Sequence, residues 1–197
     1  MLISFPTAYF IHFMQKRWQP LFKSTISLPL VLPPSVLGYY LLVVFRPDSW
    51  LGTSFEKIFN AQLAFSFQGL VLGSVIFSLP FALNPVISAL ETLPNTLQEA
   101  AFTLGKSKLK AFLFVLLPNI KGAIWAGAVM SFAHTLGEFG VVLMIGGSIP
   151  QQTRVASIAI YDEVELMNYQ QADVYALVLL VSSFGFLLLV HLFNKSK

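Results

Sequence analysis

The chain has 197 residues, 56% of them hydrophobic and 11% charged, with a mean hydropathy of +0.73, no cysteine and a formal net charge of +3. Soluble domains carry about 25% charged residues, so this composition excludes an ordinary water-soluble domain and points to a bilayer. The lack of cysteine excludes disulfides, thiolate metal sites and cysteine nucleophiles, and the basic residues form no patch with interleaved aromatics, which argues against nucleic acid as a partner.

A hydrocarbon core of about 30 Å needs about 20 apolar residues in a helix. The first apolar stretch, Met1 to Met14, would reach only about 21 Å at a rise of about 1.5 Å per residue. It has no basic region ahead of it and no small-residue cleavage site behind it, so it is not a signal peptide. It reads as the remainder of a span whose beginning is missing from the chain. Four later segments have the full length: Thr25 to Phe45, Gly69 to Leu90, Ile124 to Ile145 and Val174 to Phe193. Pro29, Pro33, Pro34, Pro80 and Pro85 interrupt two of them, as hinges with freed backbone groups or as packing kinks. Trp18, Trp50 and Trp125 stand near span ends as interface anchors, and His12 and His191 near membrane boundaries. The expected fold is all-α, with about five transmembrane helices in one domain over residues 1–197 and an intervening loop over 91–119.

Lysine and arginine set the orientation. Lys16, Arg17, Lys23, Lys106, Lys108, Lys110, Lys121, Lys195 and Lys197 fall on one side, and Arg46, Lys57 and Arg154 on the other. The positive-inside rule then predicts an external N-terminus, with the 91–119 loop and the C-terminus in the cytoplasm. The outward segment from Gly147 to Asp173 has one basic residue, Arg154, against the acidic Asp162, Glu163, Glu165 and Asp173, which agrees with that orientation.

Within the loop, Leu97, Ala101 and Leu104 recur at i, i+4 and i+7, which predicts a short helix. Ala100 and Ala101 keep its profile slim, Gly105 ends it, and Pro118 stands just before the next span. Such an element is a lever for a cytoplasmic partner, or else an interfacial loop that obeys the charge rule. Gly105-Lys106-Ser107 is the tail of a phosphate-binding loop, but position 100 is alanine where the motif needs glycine, and no buried strand precedes it. Gly146 to Pro150 is a near miss for a nucleophile elbow, with proline in place of the last glycine. His12, His134 and His191 lack metal-ligand spacing. No catalytic or metal-binding residue is expected.

In the span from Ile124 to Ile145, Ser131, His134, Thr135 and Glu138 fall at i, i+3, i+4 and i+7, on one face of a continuous helix. Glu138 is the only formally charged residue well inside a full-length segment. Such a carboxyl faces a bundle interior or a watery cavity, as a pore or gate group or as an interhelical clamp.

Glu99-Ala100-Ala101, three residues, Gly105, nine residues and Val115-Leu116-Leu117-Pro118 resemble the EAA signature of ABC importer permeases, with Val115 in an isoleucine position. Leu28 to Leu42, Phe132 to Gly140, the Ile149 to Arg154 stretch and Ala159-Ile160-Tyr161 narrow the resemblance to the molybdate permeases of that family. Sulfate permeases share the GEFG element, so a sulfate or thiosulfate permease is the alternative; a membrane scaffold or intramembrane enzyme is a more distant one. The resemblance implies a MetI-like homodimer that imports molybdate or tungstate. Its partners are two cytoplasmic ATPase subunits holding ATP and magnesium, and an external oxyanion-binding protein. It makes Glu99, Ala100, Ala101, Leu104 and Gly105 the coupling residues, and it leaves this chain without a cofactor. Arg154 is the candidate for external contact. Family members often carry arginine where this chain has His134.

Overall fold

The computed structural model describes residues 1–194, and all regular structure among them is helical. Lys195 and Lys197, and the side chain of His191, lie outside what is described. In chain order the helices are α1 (Ser4–Phe13), α2 (Gln19–Val31), α3 (Pro34–Phe45), α4 (Trp50–Phe59) and α5 (Phe67–Thr92). Then come α6 (Asn95–Thr103), α7 (Lys108–Ala111), a π-turn (Phe112–Leu116), α8 (Leu117–Asn119) and α9 (Lys121–Leu136). The last three are α10 (Gly140–Gly146), α11 (Ala156–Glu165) and α12 (Tyr169–Asn194).

Phe67–Thr92 and Tyr169–Val190 are each long and apolar enough to cross a membrane, matching two of the expected spans. The other two runs are broken. Thr25 to Phe45 divides into α2 and α3 at Leu32 and Pro33: Pro34 lacks the N–H an uninterrupted helix would need and instead begins α3 behind Pro33. Ile124 to Ile145 was expected as one helix, but α9 ends at Leu136 and α10 begins at Gly140. In its place Lys108–Asn119 and Lys121–Leu136 together have the length and hydropathy of one span, bent by 78°.

The π-turn has a local cause. Pro118 has no N–H to offer the preceding turn, and the amide of Leu117 reaches back five residues to the Phe112 carbonyl.

The chain divides into two compact units. The first comprises Met1–Val31 and Ser78–Phe132. Its core joins Ala8 and Ile11 of α1 to Leu83, Val86, Ile87 and Leu90 of α5, and to Phe112, Leu116 and Ile120. In this unit α9 crosses α5 closely at Gly127, where an added Cβ would lie 2.6 Å from the Ala82 carbonyl oxygen. Gly127→Ala is therefore expected to destabilise the protein by about 1–3 kcal/mol through overpacking. Gly122→Ala, on the same helix with nothing within 4 Å of the new methyl, is the control. Thermal midpoints in detergent check this; equal midpoints would show that the two helices move apart freely.

The second unit comprises Leu32–Phe77 and the chain from Ala133 onward. Its core gathers Leu37, Leu41 and Phe45 of α3, Leu70 and Phe77 of α5, Val141, Val142 and Ile145 of α10, and Ile158 of α11. Here α3 and α10 meet through glycine. A Cβ on Gly38 would sit 2.7 Å from the Cβ of Met144, and one on Gly140 2.7 Å from the Cβ of Pro34. The two stretches that narrowed the family resemblance, around the paired prolines and around the GEFG element, are thus packed against each other.

Candidate functional site

The segment from Glu99 to Pro118 lies in the first unit. α6 has nine residues, shorter than the dozen or so that a helix needs to hold itself in water, so its placement depends on contacts with the rest of the unit. Ala101 is buried at 3% exposure, while Glu99 and Ala100 are exposed and Leu104 is 78% exposed. The face expected from the i, i+4, i+7 spacing is therefore split: Ala101 points into the protein, and Leu104 points out of it. The reason is that the helix stops at Thr103, and Leu104, in the cap, has left helical geometry with ψ at 13°.

That stop is built around Gly105. Its φ is +74°, in the left-handed region where a side chain costs energy. Its N–H donates to the Phe102 carbonyl at 2.9 Å, and the N–H of Lys106 donates to the Ala101 carbonyl at 3.0 Å. These are the two bonds of a Schellman cap, which satisfy carbonyls the helix end would leave open. Ser107 then caps the next helix, its Oγ accepting from the Lys110 N–H at 3.4 Å. The Gly-Lys-Ser triplet is accordingly the stop of one helix and the start of another.

In the second unit, Glu138 does not lie on a helix face with His134 and Thr135. It follows the end of α9, and its Oε1 accepts from the Val141 N–H of α10 at 2.7 Å. Its own N–H donates to the Thr135 carbonyl at 3.3 Å, and its carbonyl accepts from Ser157 Oγ at 2.6 Å. With 7% exposure, Glu138 is the junction of α9, α10 and α11. The His134 ring stacks on Phe77, with centroids 4.5 Å apart. Thr135 is exposed. Ser131, half-buried, belongs to the first unit.

Arg154 is engaged within its own unit. Its Nε lies 3.0 Å from Asp162 Oδ2 and its Nη2 3.4 Å from Glu163 Oε1. Ser148 Oγ donates to the same Asp162 oxygen, and Asn168 Nδ2 donates to Glu163 Oε2 at 2.8 Å. Tyr161 donates to Glu165, and that carboxylate holds the exposed phenol above its ordinary pKa. Beneath this polar cluster, fully buried Thr153 donates to the Gly146 carbonyl at 2.6 Å and accepts from the Ile149 N–H at 3.1 Å. The Gly146 to Pro150 stretch is thereby a tied turn.

Sequence reasoning missed Thr153, Ser157, His12 and Gln98. A threonine a few residues beyond a Gly-Gly helix end and a proline, as in Gly146-Gly147-Ser148-Ile149-Pro150-Gln151-Gln152-Thr153, is a recognisable turn signal. Nothing local marks the other three.

The model of the family described as "binding-protein-dependent transport system inner membrane component" matches residues 3–196. The chain belongs to that family. The permease is 38% identical over 197 residues to the molybdenum transport system permease protein ModB of Azotobacter vinelandii, covering all of this chain and 86% of that one. It is 34% identical over 169 residues to ModB of Haemophilus influenzae, covering 84% of this chain and 74% of the relative. It is also 34% identical over 174 residues to a probable sulfate transport system permease protein cysT of Chlorella vulgaris, covering 88% of this chain and 65% of that one. Among solved structures, the permease resembles a bacterial ABC transporter involved in the import of the acidic polysaccharide alginate. The TM-score is 0.78 at 15% identity, over 98% of this chain and 72% of the other. The expected all-helical ABC permease fold is therefore correct, and the permease is an inner-membrane component of an ABC importer.

Proposed function

We propose that the permease carries molybdate or tungstate inward as one half of a homodimer, with α6 as the element that docks on a cytoplasmic ATPase subunit. The observation that carries this reading is the exposed Glu99, Ala100 and Leu104 surface, held at a fixed angle by the Gly105 cap. In this reading the N-terminus is outside and the C-terminus cytoplasmic. ATP and magnesium belong to the partner, and an external binding protein delivers the oxyanion. A periplasmic protein is present in a solved alginate transporter complex of the same fold, which matches this permease with a TM-score of 0.74. Residues 1–197 act as one transport domain. Support for molybdate over sulfate comes from the 38% identity to the Azotobacter vinelandii ModB across all 197 residues, against 34% over 174 residues in the Chlorella vulgaris cysT. Because Arg154 is already neutralised by Asp162 and Glu163, it contributes shape to the outer surface rather than a free cation.

The test is uptake into lipid vesicles holding the permease with its ATPase, supplied in turn with molybdate-loaded and sulfate-loaded binding proteins. ATP-dependent molybdate uptake well above sulfate uptake is expected. Equal or greater sulfate uptake would overturn the molybdate assignment and favour the sulfate reading. Absence of ATP-dependent uptake of either anion would overturn the oxyanion reading altogether.

A further inference from the structure

We infer that α1 is a brace that sets the angle of the EAA segment, with His12 as its positioning residue. The inference rests on the reading of α6 as the docking element, and it concerns what holds that element in place. His12 Nε2 donates to Gln98 Oε1 at 2.8 Å, across 86 residues of sequence. Gln98 immediately precedes Glu99, so this bond grips α6 on the residue next to its signature.

The same helix grips the far side of the segment. Phe112, at the start of the π-turn, is buried and receives Tyr9 edge-on with ring centroids 5.3 Å apart, and Phe13 at 6.4 Å. Lys108 of α7 holds its ammonium 5.8 Å from the Phe13 ring centre, within range of a cation–π attraction. The His12 ring meets Phe13 edge-on at 4.8 Å, so the polar and aromatic grips are adjacent.

A brace must itself be fixed. Ala8 and Ile11 are buried against α5 residues of the core. Gln19 Nε2 donates to the Ile11 carbonyl at 3.1 Å, closing the C-terminal end of α1. Lys23 of α2 pairs with Glu91 near the end of α5. α1 is therefore tied to the long helix and to both sides of the EAA segment. A nine-residue helix has little intrinsic stability, so a single polar contact from a fixed neighbour has leverage over its direction. A load applied at Glu99 or Leu104 then moves the π-turn and α1 together, instead of bending α6 by itself.

The test uses the permease in lipid vesicles with its ATPase and loaded binding protein, reading uptake and ATP hydrolysis in the same preparation. His12→Ala and Gln98→Ala are each expected to lower the anion moved per ATP by about fivefold, the weight of one neutral hydrogen bond. The double variant is expected to be no worse than either alone, because both remove the same contact. His12→Gln, whose amide can meet Gln98 Oε1, is expected to recover most of the ratio. Multiplicative losses in the double variant would overturn the brace. So would uptake and hydrolysis falling in step with the amount of inserted protein, since that reports damaged assembly. Glu99→Arg in the same preparation separates the two levels. If it uncouples while His12→Ala does not, the brace is wrong and the docking surface stands. If Glu99→Arg has no effect, the docking reading itself fails.

Discussion

Gly105→Pro is expected to reduce ATP-driven uptake to background, and substrate-stimulated ATP hydrolysis with it, while the protein still inserts in the membrane. Proline holds φ near −65° and has no N–H, whereas position 105 has a φ of +74° and donates to the Phe102 carbonyl. Both requirements of the cap fail together, and the end of α6 must rearrange. An added Cβ would meet nothing within 4 Å at this position, so the effect is one of backbone conformation and not of crowding. That gives the prediction an internal scale. Gly105→Asn, which tolerates the left-handed region, is expected to stay close to the parent. Gly105→Ala is expected to fall between, with a cost to the turn of about 1–2 kcal/mol. Normal stimulated hydrolysis by a well-inserted Gly105→Pro complex would count against any role of this turn in transmission.

A loss of comparable size is expected for Glu138→Ala, with a different pattern among its neighbours. The carboxylate is the acceptor for the Val141 N–H in the first turn of α10, and its removal leaves that buried N–H unpaired. Loss of a helix cap typically costs about 0.5–2 kcal/mol, more where the amide stays out of water. Glu138→Gln retains an oxygen at the same reach. It is therefore expected to keep uptake within about threefold of the parent, since a neutral acceptor still meets the Val141 N–H. Ser157→Ala, which removes the bond to the Glu138 carbonyl, is expected to show a milder version of the alanine phenotype. Uptake and thermal midpoints should fall together across the set. If Glu138→Gln proved as inactive as Glu138→Ala at parental stability, the negative charge itself would be in use, as a pore or gate group requires.

The features legible in the sequence are those written within one turn or one apolar run. The lipid setting follows from composition, because too few charges are available to cover a water-facing surface. Helix α6 and its stop at Gly105 follow from apolar spacing and from the one residue type that enters the left-handed region freely. Two of the four full-length runs appear as single helices, Phe67–Thr92 and the one beginning at Tyr169, because nothing in either forces a break. α5 even absorbs Pro80 and Pro85 without ending.

Tertiary structure decided the rest. Near its break the run from Ile124 to Ile145 carries Gly137 and Gly140 as local warnings, but Gly127 in the same run sits inside an unbroken helix, and hydropathy alone carries the pattern straight through all three. The break there is stabilised by Glu138 capping α10, by Ser157 of α11 and by the approach of Pro34 to Gly140. Those partners come from three separate parts of the chain. The same reason hid the partition of the EAA segment, since helical spacing says which residues share a face but not what that face meets. Ala101 turned inward because a core lies beneath it, and Leu104 turned outward because the cap redirects the chain. His12 and Gln98 carry no local sign of each other. A hydrogen bond between side chains 86 residues apart exists only once α1, α5 and α6 have packed, and packing depends on the whole unit's volume and shape, which no short window of sequence contains.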